Sequence, residues 1–246
     1  MRKLFIYCLL LVFSLNCYSQ SKEECLSNLS IFAEYAKVKN YEAAYEPWLK
    51  VKGECPDINS AIYVYGERIL KFYINNSQGN DKDKYEEDLL DLYDEWLKYF
   101  SKTKSGKQQI GTILAIKAQS MLDYKLGDDE DIYDVYDLAF KNDPGSFTSP
   151  KGLYNYFKIY FNLYKAENQS VSLESLFEKY EELTEKFELV MGSYTSKLDA
   201  LLKKEENDDP LSSKEVKNKR IYEVNMIACS TYLNNLNAII AKESTC

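Results

Sequence analysis

The sequence predicts an all-α protein of helical hairpins that ends in one long antiparallel helical hairpin. Three observations carry this expectation. Apolar and aromatic residues recur every three or four positions through most of the chain, the spacing of helices with one buried face. Short punctuations separate those stretches, among them Lys39-Asn40, Gly127-Asp128 and Asn207-Asp208-Asp209-Pro210. From Leu173 through Leu176, Tyr180, Leu183, Phe187, Val190, Tyr194 and Leu198 to Leu201 the apolar steps alternate between three and four, a heptad-like seam longer than an ordinary helix needs.

Residues 1–19 have the parts of a secretory signal peptide: Arg2-Lys3 as the basic start, an apolar run from Leu4 to Leu15, and small residues Cys17 and Ser19 before a cleavage point at Gln20. The run is too short for a comfortable membrane span, and no later segment is apolar enough for an integral one. A lipid anchor at Cys17 fits less well, because Asn16 and Ser14 stand where that motif wants a small residue and a Leu. The expected location is therefore the periplasm or the cell surface. The whole chain carries a charge of -8, and losing Arg2 and Lys3 with the leader makes it -10. The chain has three arginines, Arg2, Arg68 and Arg220, so the basic stripe and guanidinium forks of a nucleic-acid binder are missing. Histidine is absent, which excludes Ser-His and Cys-His nucleophile pairs and His-ligated zinc.

The first hairpin runs from Cys25 to Pro56. Leu26, Leu29, Phe32, Tyr35 and Ala36 mark one helix; Tyr41, Ala44, Tyr45, Trp48 and Val51 mark the next, closed by Gly53 and Pro56. On Tyr35, Asn40-Tyr41, Ala44, Trp48 and Pro56 this stretch resembles a tetratricopeptide repeat, a pair of antiparallel helices of about 34 residues. Phe32 departs from the pattern, which prefers a small residue there. The resemblance implies an α-solenoid of tetratricopeptide-like hairpins over residues 20–166, with the long hairpin over 167–246 as its end unit.

Four cysteines remain after the leader, Cys25, Cys55, Cys229 and Cys246, and they allow three pairings. Cys25 opens the first helix of the hairpin and Cys55 ends the second, so antiparallel packing brings them together. A Cys25–Cys55 disulfide is expected in an oxidising compartment. Cys229 lies on an apolar stripe and reads as a buried free thiol. The last residues, K-E-S-T-C, resemble the K-E-E-C at Lys22–Cys25, which suggests the front part of a longer protein.

A helix is expected over residues 58–76, with Gly66 where a second repeat would want its small residue, then a polar loop over 75–84 and an amphipathic helix over 85–100. A third repeat reads more clearly. Its helices run over 110–126 and 132–141, and Gly127, Tyr136, Ala139 and Pro144 hold the matching spacings. Ser149 is an N-cap with Pro150 just inside, opening an aromatic-rich helix to about residue 165. The second long helix is expected to turn Val216, Ile221, Val224, Ala228, Tyr232, Leu236, Ile239 and Ile240 inward.

No catalytic, cofactor-binding or metal site is expected. The acidic run Gly127–Asp134 fails as a calcium loop, since Tyr133 and Ala139 occupy the positions that need Gly and Glu. Gly-rich phosphate loops, a G-x-S-x-G elbow and C-x-x-C are all lacking. The Ser-Gln leader end, the Lys/Asn/Tyr/Ile richness and the scarce arginine are similar to envelope proteins of the Bacteroidota. The resemblance implies a non-enzymatic exported scaffold or adaptor that holds a protein or peptide between helices, with Asn40, Tyr63, Tyr154 and Tyr156 as candidate contacts. A surface glycan-binding protein on the same helical-repeat scaffold is the alternative reading.

Overall fold

The computed structural model describes residues 22–166 and 171–244. The segment expected to be a leader, residues 1–19 with Cys8 and Cys17, and Cys246 lie outside the described residues. The described chain is all-helical, with neighbouring helices packed on one another: α1 over residues 22–37, α2 Tyr41–Glu54, α3 Ala61–Asn76, α4 Gly79–Phe100, α5 Ile110–Tyr124, α6 Asp129–Asn142, α7 Pro150–Lys165, α8 Leu173–Glu206 and α9 Ser213–Glu243. Two compact units result, Met1–Ser101 and Lys102–Cys246. No described helix is long and apolar enough to cross a membrane.

In the first unit the turn between α1 and α2 is tight. Lys39 takes a left-handed conformation (φ 62°), and the Asn40 amide donates to the Tyr35 carbonyl at 2.9 Å. The Asn40 side chain then accepts from the Ala43 amide, capping α2. The buried stripe of α1 is Cys25, Phe32 and Ala36, while Leu26 and Tyr35 are exposed. Cys25 and Cys55 stand at disulfide distance, with Cα atoms 6.4 Å apart, a separation typical of a disulfide.

Trp48 of α2 lies against Gly66 of α3, and its indole N–H donates to the Ile62 carbonyl at 2.8 Å. A Cβ on Gly66 would come within 2.7 Å of Trp48 Nε1, so only glycine lets the two helices approach this closely. Five rings, Tyr41, Tyr45, Phe72, Tyr73 and Tyr85, fill the adjoining α2–α3–α4 seam. Burial pushes the Tyr45 hydroxyl up to about 12, helped by neighbouring Tyr85 and Asp88.

One expectation fails here. The polar run over residues 75–84 is not a loop: α4 begins at Gly79 and only Ser77 and Gln78 separate it from α3. The run contains no residue that halts a helix after Gly79, and Lys82 pairs with Glu86 one turn on. Polar composition marks a solvated helix face there, not a break.

In the second unit, α5 has no side-chain cap of its own at Gln109. The loop after α6 supplies one from a distance. Asp143 accepts from the Gly111 amide, and Ser146 Oγ accepts from the Thr112 amide at 3.0 Å. A Cβ on Gly111 would overlap the Asp143 carbonyl, so this approach also needs glycine. Capping boxes at Asp128, Ser172 and Ser212 open α6, α8 and α9, and Ser149 with Pro150 opens α7.

α8 and α9 pack as an antiparallel pair, and both rest on α7. Leu176, Leu183, Phe187, Val190 and Leu201 make the buried seam of α8; Cys229, Leu236 and Ile240 make that of α9. Cys229 is a buried free thiol, its pKa pushed up to about 11 by burial. Val216, Ile221 and Val224 do not turn inward as expected. They are 55%, 42% and 56% exposed, because α9 carries apolar residues on two faces and a three-four count follows either one.

Candidate functional site

A concavity of about 440 Å³ lies in the second unit, between α6, α7 and α8, lined by Tyr133, Asp137 and Lys141 of α6, Tyr160 of α7, and Ser175, Glu178, Lys179 and Glu182 of α8. The α6 residues recur every four positions, so one stripe of that helix faces the cleft. Tyr156, one turn before Tyr160, is buried beside it, with its hydroxyl bonded to the lining residues Asp137 and Lys179.

Asp137 is the hub. It accepts hydrogen bonds from the Tyr156 hydroxyl at 2.6 Å and the Tyr133 hydroxyl at 3.4 Å. Lys141 pairs with its carboxylate at 2.6 Å, and the Lys179 ammonium stands 3.9 Å away. Burial alone would raise the Asp137 pKa. The hydrogen bonds from Lys141 and Tyr156 and the charges of Lys141 and Lys179 outweigh burial and hold it below the usual carboxylate range. Burial, with Asp137 as its acceptor, pushes the Tyr156 hydroxyl far above the ordinary tyrosine value. Tyr133 moves the same way for the same leading reason.

Lys179 reaches into this cluster from α8. It donates to the Tyr156 hydroxyl at 3.0 Å and pairs with Glu182 at 2.6 Å. Its ammonium lies 4.9 Å from the Tyr156 ring centroid, 5.8 Å from Phe140 and 5.9 Å from Tyr160, within cation–π range of all three. Tyr133 stacks on both Tyr156 and Tyr160 at 5.4 and 5.0 Å. The result is a rigid wall of rings and fixed charges of both signs, with Glu178 and Glu182 exposed at its rim. An ionised carboxylate saturated with donors is a weak proton acceptor, so Asp137 is poorly placed to act as a general base.

The residues expected to meet a partner are scattered. Asn40 is exposed, but its side chain is committed to the α2 cap. Tyr63 is wholly buried: its ring stacks on Trp96 and Tyr99, and its hydroxyl donates to the Pro56 carbonyl at 3.0 Å. It is a core residue of the first unit, since its position on α3 faces α4 and the turn that precedes α3. Tyr154 stacks on Tyr232 of α9 at 5.1 Å and so belongs to the α7–α9 contact. The Tyr156 ring is also fully buried, and only through its hydroxyl does it shape the cleft. Asp137, Lys179, Tyr133 and Tyr160 were not singled out from sequence; the four-residue recurrence of Tyr133, Asp137 and Lys141 on one helix was the available signal. Among the described residues no cluster of His, Cys, Asp and Glu is arranged to hold a metal ion.

No protein-family model matches the chain, and no curated protein is similar to it.

Proposed function

We propose that this protein is an exported, non-enzymatic scaffold of tetratricopeptide-like hairpins that holds a protein or peptide segment in the cell envelope. The observation that carries the reading is the α6–α7–α8 cleft, where half-buried Tyr133 and the charged residues Lys141, Glu178 and Glu182 border solvent beside the buried rings of Tyr156 and Tyr160. A peptide offers amide donors and acceptors together with side chains of either charge, and this wall presents complements to each. The packing of α5 on α6, of α6 on α7 and of α5 on α7 supports the repeat reading, since a repeat stack sets each first helix against its own second helix and the next first helix. The Cys25–Cys55 pair at disulfide distance supports an oxidising compartment.

The test is a pull-down from native envelope extract with the wild-type protein and with Glu178→Lys/Glu182→Lys. Both side chains are exposed at the rim, so the helix packing is kept, while Glu182→Lys also breaks the pair with Lys179 and Glu178→Lys alone leaves that pair in place. A protein recovered by the wild type and lost by the variant supports the proposal. Recovery of saccharide alone, or of the same proteins by both, overturns it.

A further inference from the structure

α9 carries a second stripe on the side away from its buried residues Cys229, Leu236 and Ile240. Val216, Arg220, Glu223 and Ile227 follow in steps of four, three and four, so they lie in one line over about three turns. Val216 is 55% and Ile227 68% exposed, and Arg220 and Glu223 are exposed with them. Val224, 56% exposed, flanks the line. Nearby charges are already used within the hairpin: Lys204 pairs with Glu215 at 2.7 Å and Lys219 with Glu205 at 2.6 Å. Among the described residues Arg220 has no ion pair of this kind, and Glu223 only adds its charge to that of Glu205 around Lys219.

We propose that this line is the contact through which a second copy of the chain binds, α9 against α9, antiparallel about a twofold axis between Ile221 and Tyr222. Read from the other end, the order apolar, positive, negative, apolar becomes apolar, negative, positive, apolar. The midpoint of Val216 and Ile227 is also the midpoint of Arg220 and Glu223. A single twofold axis therefore sets each Val216 against the partner's Ile227 and each Arg220 against the partner's Glu223, satisfying all four at once. An isologous interface requires this self-complementarity, and the three-four spacing is that of a coiled-coil seam. The acidic chain as a whole repels its copy, so opposite charges must meet locally for association to occur. The proposal is independent of the α6–α7–α8 cleft.

Contact through one short helical line sits at the small end of protein interfaces, so the dimer is weak and must be sought up to about 0.5 mM. Sedimentation equilibrium of the purified protein should show a monomer–dimer equilibrium. Arg220→Glu and Glu223→Arg should each weaken it at least about tenfold, because each sets like charges opposite one another twice. The double variant Arg220→Glu/Glu223→Arg should restore it to within about threefold of wild type. Far-UV circular dichroism checks that the variants fold.

A second readout does not depend on charge. In a Cys246→Ser background, chains with Val216→Cys mixed with chains with Ile227→Cys should form the mixed disulfide. Val216→Cys chains alone should not cross-link, since the axis leaves those positions about 16 Å apart along the helices. A protein that stays monomeric at the highest concentration overturns the proposal, whether or not it binds vesicles containing phosphatidylglycerol. A dimer indifferent to the single charge reversals, or not recovered by the double one, overturns it as well.

Discussion

Removing the Cys25–Cys55 link should loosen the first unit and leave the second untouched. The perturbation is Cys25→Ala/Cys55→Ala, chosen because Cys25 is buried and a serine there would add an unpaired hydroxyl. The two cysteines are 30 residues apart. In the chain-entropy model, a crosslink closing a loop of that size restricts the unfolded chain by about 3.7 kcal/mol at 25 °C. A unit of this length has a total stability on the order of 5–10 kcal/mol, so the loss is a third of it or more. At roughly 4–8 °C per kcal/mol for a small domain, the midpoint should fall by about 15 °C or more.

The assay is built into the sequence. Both tryptophans of the chain, Trp48 and Trp96, are buried in the first unit. Tryptophan fluorescence during urea or thermal unfolding therefore reports that unit alone, while far-UV circular dichroism reports both. A two-unit chain need not unfold in one step, so separating the signals matters. The fluorescence transition should move down on mutation, or on adding reductant to the wild type, and the remaining dichroism transition should stay in place. A shift under about 1 kcal/mol, or one shared equally by both transitions, would mean that no Cys25–Cys55 crosslink holds the first unit.

Three further outcomes follow from the packing and the cleft. Gly66→Ala should destabilise the first unit by about 1–2 kcal/mol. The new methyl group meets the Trp48 indole, and overpacking of about 1–3 kcal/mol exceeds the helix-propensity gain of under about 1; equal or higher stability in urea would sink this account of the α2–α3 contact. Tyr156→Phe should cost the second unit about 1–3 kcal/mol, because it strips a donor from Asp137 and an acceptor from Lys179; unchanged dichroism-monitored unfolding would show that the hydroxyl is not structurally engaged. Asp137 is held below its ordinary pKa, so its contribution is present above the unfolded value of about 3.9 and fades as pH falls through the lower folded value. Asp137→Asn should flatten the loss of second-unit stability in acid below about pH 4, and an unchanged acid profile would contradict the pairing.

Much of the helix content was legible because local chemistry and burial agree. Ser149-Pro150 announces the start of α7 through a cap that needs only neighbouring residues, and the helix starts there, whereas α6 opens at Asp129, three residues before the expected start, because Asp128 caps it. Gly66 was legible as the position of a small residue, though its Trp48 partner was not, since which ring fills a gap is settled by tertiary packing. Other features depend on what lies across the space. The start of α4 was missed because a solvated helical turn and a polar loop share a composition. Tyr63 and Tyr156 were expected at a surface, yet helical spacing cannot tell a tyrosine that faces the core with its hydroxyl satisfied from one that faces solvent. The outward stripe of α9 was read as the inward one because both faces carry apolar residues. The cleft needed three helices at once, and no single stretch of sequence contains it.

If the α6–α7–α8 cleft holds a protein segment, a photoreactive amino acid placed at Glu178, on the exposed rim, should capture that segment in the native host on irradiation. One recurrent protein adduct is expected, attached through a single contiguous segment, and it should disappear when Glu182→Lys is added. Adducts scattered over many proteins and positions, or adducts to saccharide only, would contradict the proposed binding.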